Sequence, residues 1–126
     1  MKWKTAIAAV SLLLLYALPG QAYIYRDGSL SRGQRIYIDI EINSTGNYQS
    51  LAYMGANGTL DADLCIYSPY GNKIFTMSGS AEQKPQTVTF TYSGTYRFEI
   101  VGYSGSGSYL LFLGDKNEWE QVANRQ

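Results

Sequence analysis

The chain has 126 residues, ten acidic against ten basic, with one cysteine and no histidine. The missing histidine removes the usual general base, and the even charge balance leaves no electrostatic footprint for nucleic acid or anionic lipid. Twelve tyrosines and thirteen glycines beside three prolines point to an all-β chain rather than a disordered or helical one.

The first segment reads as an export leader. Lys2 and Lys4 give a basic start, Ala6 to Leu18 is an apolar run, and Gly20-Gln21-Ala22 supplies small residues where a signal peptidase cuts. That run is short beside the roughly 20 residues a membrane-spanning helix needs, so cleavage after Ala22 is expected, with an uncleaved anchor as the alternative. Removing 22 of 126 residues leaves 104, and losing two lysines leaves eight basic residues against ten acidic. The mature chain is then a single domain with room for a core and no need of covalent staples. Cys65 has no internal partner for a disulfide and reads as a small buried strand residue, with a reactive or intermolecular thiol as the alternative.

Tyr23 to Asp27 reads as a short strand or an extended lead-in, and Gly28 to Gln34 as a turn-rich approach anchored by Leu30. Arg35 to Ile42 alternates cleanly, with Ile36, Ile38, Ile40 and Ile42 inward and Tyr37, Asp39 and Glu41 outward. Breaks at residues 43–47 and 55–59 flank an extended stretch from Gln49 to Met54. Asp63 to Ser68, the turn Pro69-Tyr70-Gly71-Asn72 and Lys73 to Ser78 predict a hairpin. In Gln86 to Tyr92, Val88, Phe90 and Tyr92 alternate with polar residues.

Tyr96, Phe98 and Ile100 then share one face, with Arg97 and Glu99 on the other. Tyr109 to Leu113 is apolar on both faces and predicts a strand covered on both sides. The glycine-serine stretch between them predicts a second hairpin. Seven or eight such strands describe an antiparallel β-sandwich of jelly-roll character over residues 23–113. Residues 114–126 form a polar tail in which Trp119 and Val122 either dock a short helical turn or fray.

Three stretches resemble the pre-peptidase C-terminal domains of bacteria and archaea. They are Gly28 to Gln34 with the strand after it, Asp61 to Asn72 with its aspartate-leucine strand and proline-x-glycine turn, and Ser93 to Tyr96 followed by Gly102 to Tyr109. The resemblance spans about Asp27 to Leu113. It implies a jelly-roll-like sandwich that usually accompanies secreted peptidases, and in clostridial collagenases a collagen-binding, calcium-responsive module. The calcium ligands of those members lie largely in an acidic lead-in, where this chain has only Asp27. No peptidase precedes the domain here, so the implied role is that of a module secreted alone.

Candidate chemistry is sparse. The carboxylate pairs Asp39/Glu41 and Asp61/Asp63 each share a strand face, which suits acid–base catalysis but equally a solvated face. No nucleophile–base pair stands in a recognisable context, so an enzyme is not expected. Asp61 and Asp63, beside the Asn57-Gly58 loop, are the candidates for calcium, an ion that takes about six to eight oxygens. The alternative is that Asp63 fixes a turn through backbone N–H groups. Tyr67, Tyr70 and Tyr103 are the candidate ligand contacts, since exposed tyrosine offers an apolar face and a hydroxyl. Equally, tyrosine has high strand propensity. Asn43 and Asn57 each begin an N-glycosylation triplet in a predicted loop.

The expectation is a secreted, non-catalytic module of the cell exterior or envelope that binds a protein or polysaccharide, without a cofactor unless calcium binds. The alternative is a structural subunit of a surface layer or envelope complex, associating through sheet edges.

Overall fold

The computed structural model describes residues 14–17, 24–43, 48–78 and 84–124. Nine strands and one helix follow in order: β1 (Leu14–Ala17), β2 (Ile24–Ser31), β3 (Arg35–Ile42), β4 (Tyr48–Ala56), β5 (Asp61–Tyr67), β6 (Lys73–Ser78), β7 (Gln86–Phe90), β8 (Gly94–Ser104), β9 (Ser106–Gly114) and α1 (Lys116–Ala123). One sheet has the order β1-β3-β8-β5-β6 and the other β2-β9-β4-β7. Apart from β1, every pairing is antiparallel. From β2 onward every connection except β5 to β6 crosses from one sheet to the other, and β2 with β9 nests over β3 with β8. That is the jelly-roll arrangement.

The core follows from the period-two faces. Ile38, Ile40, Leu64, Ile66, Phe98 and Ile100 from the first sheet meet Ala52, Met54, Phe90 and Leu111 from the second, all fully buried. Ile36 packs against the edge of this layer and is partly buried. Burial of this many large aliphatic and aromatic side chains, each worth about 1.5–3 kcal/mol, holds the sandwich without a disulfide; Cys65 is a free thiol. Cys65 is buried as expected, yet outside the inner core. It lies between Thr76 and Glu99 on the outward face of its sheet.

Three readings are corrected. Tyr96–Ile100 and Tyr109–Leu113 do not form a hairpin, because β8 and β9 lie in different sheets and the chain crosses between them at Gly105. The glycines there serve close backbone approach: a Cβ on Gly102 would stand 2.3 Å from the Ser31 carbonyl, and one on Gly107 2.0 Å from that of Asn57. Secondly, β2 runs on through Gly28 to Ser31, since Gly28 lets the Tyr109 ring lie against the backbone. The turn waits for Gly33, whose φ is 87°. Thirdly, β7 stops at Phe90, so Tyr92 leaves the inward row. Of the two alternatives left open for the tail, the structure takes the docked one: α1 packs on the outer face of the second sheet.

That docking has a local cause. Asp115 caps the helix by accepting from the Glu118 amide at 2.7 Å, while the Glu118 carboxylate accepts from the Asp115 amide at 2.8 Å. The cap aims Trp119 at Tyr53 and Phe112, with ring centroids 4.6 and 5.2 Å away. Phe112 and Leu110 form the second apolar face of β9, and the helix covers Phe112.

β1 runs parallel to Asp39–Ile42 along the outer edge of β3. It belongs to the apolar run read as a leader; the expected cleavage site at residues 20–22 lies outside the described residues. No helix among the described residues is long and apolar enough to cross a membrane.

Candidate functional site

At one end of the sandwich two loops build an aromatic knob. The turn after β5 is closed by the Ser68 amide donating to the Asn72 carbonyl at 2.8 Å and the Gly71 amide donating to the Ser68 carbonyl at 2.9 Å. Gly71 sits at φ 88°, the left-handed position this turn requires. The Ser68 hydroxyl accepts from the amides of Tyr70 and Asn72. Pro69 lies on the backbone of Gly94, where a Cβ would come within 2.8 Å of the proline ring. So the turn is locked to the β7–β8 loop.

A buried tyrosine pins that second loop. The Tyr96 hydroxyl donates to the Tyr92 carbonyl at 2.8 Å and accepts from the Tyr92 amide at 3.0 Å. Its ring meets Phe90 edge-on at 4.8 Å. Both backbone groups of Tyr92 are thus taken inward, and its ring turns out to meet Tyr70 at 5.0 Å in a T-shaped pair. Tyr70 is 72% exposed and Tyr92 47%. Two rings on anchored loops carry little conformational entropy to lose on binding.

The knob adjoins the outer face of the first sheet, a connected polar network. Arg97 donates to both oxygens of Asp39, at 2.8 and 3.0 Å, and lies over the Tyr37 ring at 5.3 Å. Glu99 is 7% exposed and accepts from Arg35 at 2.6 Å and from the Tyr67 hydroxyl at 3.2 Å. Thr95 donates to Glu41 at 2.7 Å. Burial, and after it the Glu99 charge, raises the Tyr37 and Tyr67 phenols above their ordinary value. The hydrogen bond to Glu99 raises Arg35 despite partial desolvation. Tyrosine and arginine are the side chains enriched where proteins meet.

The residues singled out from sequence scatter over this frame. Tyr70 is in the knob. Tyr67 lies beside it, but its hydroxyl is committed to Glu99. Tyr103, 67% exposed, is near the far end of β8 and joins neither. Asp61 and Asp63 lie near that far end; Asp61 Oδ1 is buried with no hydrogen-bond partner among the described residues. No group of three or more His, Cys, Asp or Glu side chains suited to a metal occurs among the described residues. Asn57 accepts from the hydroxyl and amide of Ser108, and Thr59 exchanges hydrogen bonds with the backbone of Ser106, so this triplet ties the β4–β5 loop to β9. Asn43 is exposed just after β3; its Ser44 and Thr45 lie outside the described residues.

A concavity of about 750 Å³, open to solvent, lies beside α1 on the other sheet, between Tyr25, Asp27, Tyr53, Leu110 and Trp119. Sequence reasoning missed it, along with Tyr92. The signal for the groove was the doubly apolar β9, which demanded a cover on its outer side.

No protein-family model matches the chain, and no curated protein matches it at a significant level. Solved structures do. The chain is similar to PliG of Aeromonas hydrophila, described as a periplasmic inhibitor of g-type lysozyme, at 11% identity over 80% of this chain and 96% of that one, with a TM-score of 0.54. The Salmonella Typhimurium PliG, described in the same terms, aligns at 11% identity over 79% of this chain and 96% of its own, with a TM-score of 0.47. The Aeromonas likeness is one of fold.

Proposed function

We propose that this protein is a non-catalytic module of the extracytoplasmic space that binds another protein through the Tyr70–Tyr92 knob and the aromatic-arginine face beside it. The observation that carries the reading is the knob: two exposed rings held on loops that Pro69, Gly94 and Tyr96 lock together. Pre-anchored aromatics of this kind are the usual hot spots of protein interfaces. The inhibitor role of a protein with a similar sandwich supports a protein ligand and supplies a first candidate, a g-type lysozyme. A secreted peptidase is the second reading, favoured by the Pro69–Gly71 turn that the pre-peptidase resemblance implies.

The test is a binding screen of the secreted chain against a g-type lysozyme, secreted peptidases and collagen, with cell-wall glycan as the non-protein arm. Tyr70→Ala with Tyr92→Ala is expected to weaken the protein complex about 30-fold or more while the melting temperature stays within a few degrees. Glycan binding unaffected by that double variant, with no protein bound, overturns the reading.

A further inference from the structure

The edge of β3 opposite β8 is covered over only half its length. Among the described residues its only neighbour is β1, which covers Asp39–Ile42 and leaves Arg35–Ile38 unpaired on that side. Ile36, at the uncovered half, is partly buried where the other isoleucines of the strand are fully buried. β1 belongs to the segment expected to be removed at export, and its loss would bare the whole strand. A long unpaired edge invites another strand.

We propose that the occupant is a second copy of this chain, with β3 pairing antiparallel to β3 of the partner about a two-fold axis at Ile38. The sequence of the strand carries the argument. Isoleucines must meet isoleucines across the seam, because a one-residue slip would turn them to solvent. Of the registers that satisfy this, those that pair the greatest length of Arg35–Ile42 centre on Ile38 or on Asp39, and centring on Asp39 sets two aspartates face to face, which is unfavourable. Centring on Ile38 places Arg35 opposite the partner's Glu41, twice by symmetry, and Tyr37 opposite the partner's Asp39. Both charged side chains stand on the outer face: Arg35 is about half exposed, at 49% of its side chain, and Glu41 accepts a hydrogen bond from Thr95. The inward row continues as Ile36 against Ile40 and Ile38 against itself, covering the partly exposed Ile36. The two first sheets become one sheet across the axis. β1 and the partner's β3 claim the same edge at residues 39–41, so the leader blocks the seam until it leaves. This inference rests on cleavage; it is independent of the Tyr70–Tyr92 knob, which sits on the β5–β6 and β7–β8 loops, but it uses Arg35, Tyr37 and Glu41 of the polar face beside the knob.

The test expresses the full chain with export, reads the N-terminus of the product by mass spectrometry, and measures its mass in solution by sedimentation. A dimer lacking residues 14–17 is expected. Glu41→Lys, which sets like charges together twice, should weaken it about 10-fold or more, and so should Arg35→Glu. Mixing the two variants should restore a dimer. The lysine introduced in one copy then faces the glutamate introduced in the other, and the second contact keeps its native pair of Arg35 with Glu41. Arg35→Glu also loses its Glu99 partner, so hydrogen exchange of the unsubstituted protein gives an independent readout: amides of residues 35–41 should gain protection as concentration rises. A monomer at about 1 mM, a product that keeps residues 14–17, or a dimer indifferent to Glu41→Lys with no protection in β3 each overturns the proposal.

Discussion

The two sheets of this sandwich share a core but treat their outer faces in opposite ways. The β3-β8-β5 face is polar and finishes itself: Arg97 with Asp39, Arg35 and Tyr67 with Glu99, and Thr95 with Glu41. The β9-β4 face is apolar and needs a cover, which α1 supplies through Trp119 over Tyr53 and Phe112. One face is held by short-range charge and hydrogen bonding at a wet surface, the other by removal of apolar area from water. The first kind of cover is individually modest and available for contact; the second is strong and leaves a groove at its margin.

The largest test of that contrast is to remove the cover. Ending the chain after Gly114 exposes Phe112 and Tyr53 and also loses the buried Val122. The expected cost is about 3–5 kcal/mol, on the scale of deleting one large buried aromatic. Urea unfolding would measure it, and binding of a hydrophobic dye should rise. An unchanged midpoint would mean that the helix rests on the sheet without stabilising it.

The same operation on the polar face should cost less. Glu99→Gln keeps the shape and removes the charge that Arg35 and Tyr67 share, and the expected loss is about 1–2 kcal/mol, reduced because Arg35 is half exposed and screened by water. A loss equal to that of the truncation would erase the contrast.

These two faces also explain what could be read in advance. Period-two alternation made β3 and β8 legible, because each has one wet face and one dry one; of Ile36, Leu64, Phe98 and Leu111, which it set together in the core, the last three are fully buried and Ile36 only partly. Pairing was not legible. A glycine-rich link between two strands suits a hairpin and a crossing between sheets equally well, and which occurs depends on neighbours far along the chain. Here Gly102 and Gly107 admit the backbones of Ser31 and Asn57, contacts that no local pattern announces. Tyr92 was misplaced for a related reason: it continues the inward rhythm of Val88 and Phe90, but a hydroxyl four residues later takes its backbone and ends the strand. Tyr70 was legible because proline and glycine mark its turn on their own.

A smaller effect concerns how the cover is aimed. Asp115→Ala removes the side chain that accepts from the Glu118 amide and should cost about 1 kcal/mol, with the loss appearing as faster hydrogen exchange in α1 and little change in β3 or β8. Protection lost equally across both sheets would show that cap and sandwich unfold as one unit.

The finest separation of the two faces comes from their tyrosines. Burial raises Tyr53, under the helix, above the ordinary phenol value of 10.0. Burial also raises Tyr67, and there the Glu99 charge adds to it. A phenol whose folded pKa exceeds its unfolded one favours the native state fully below the unfolded value, and that contribution is lost as pH climbs through the folded one. Stability should therefore fall from about pH 10 upward, and Tyr67→Phe, which cannot ionise, should soften the fall. Salt then distinguishes the causes. A contribution from charge across a wet surface weakens as ionic strength rises, whereas a contribution from burial does not. Ultraviolet titration of Tyr67→Phe and Tyr53→Phe at low and high salt should assign the salt-sensitive part of the tyrosine titration to Tyr67, and equal sensitivity of both would mean that the charge of Glu99 does not set the polar face apart.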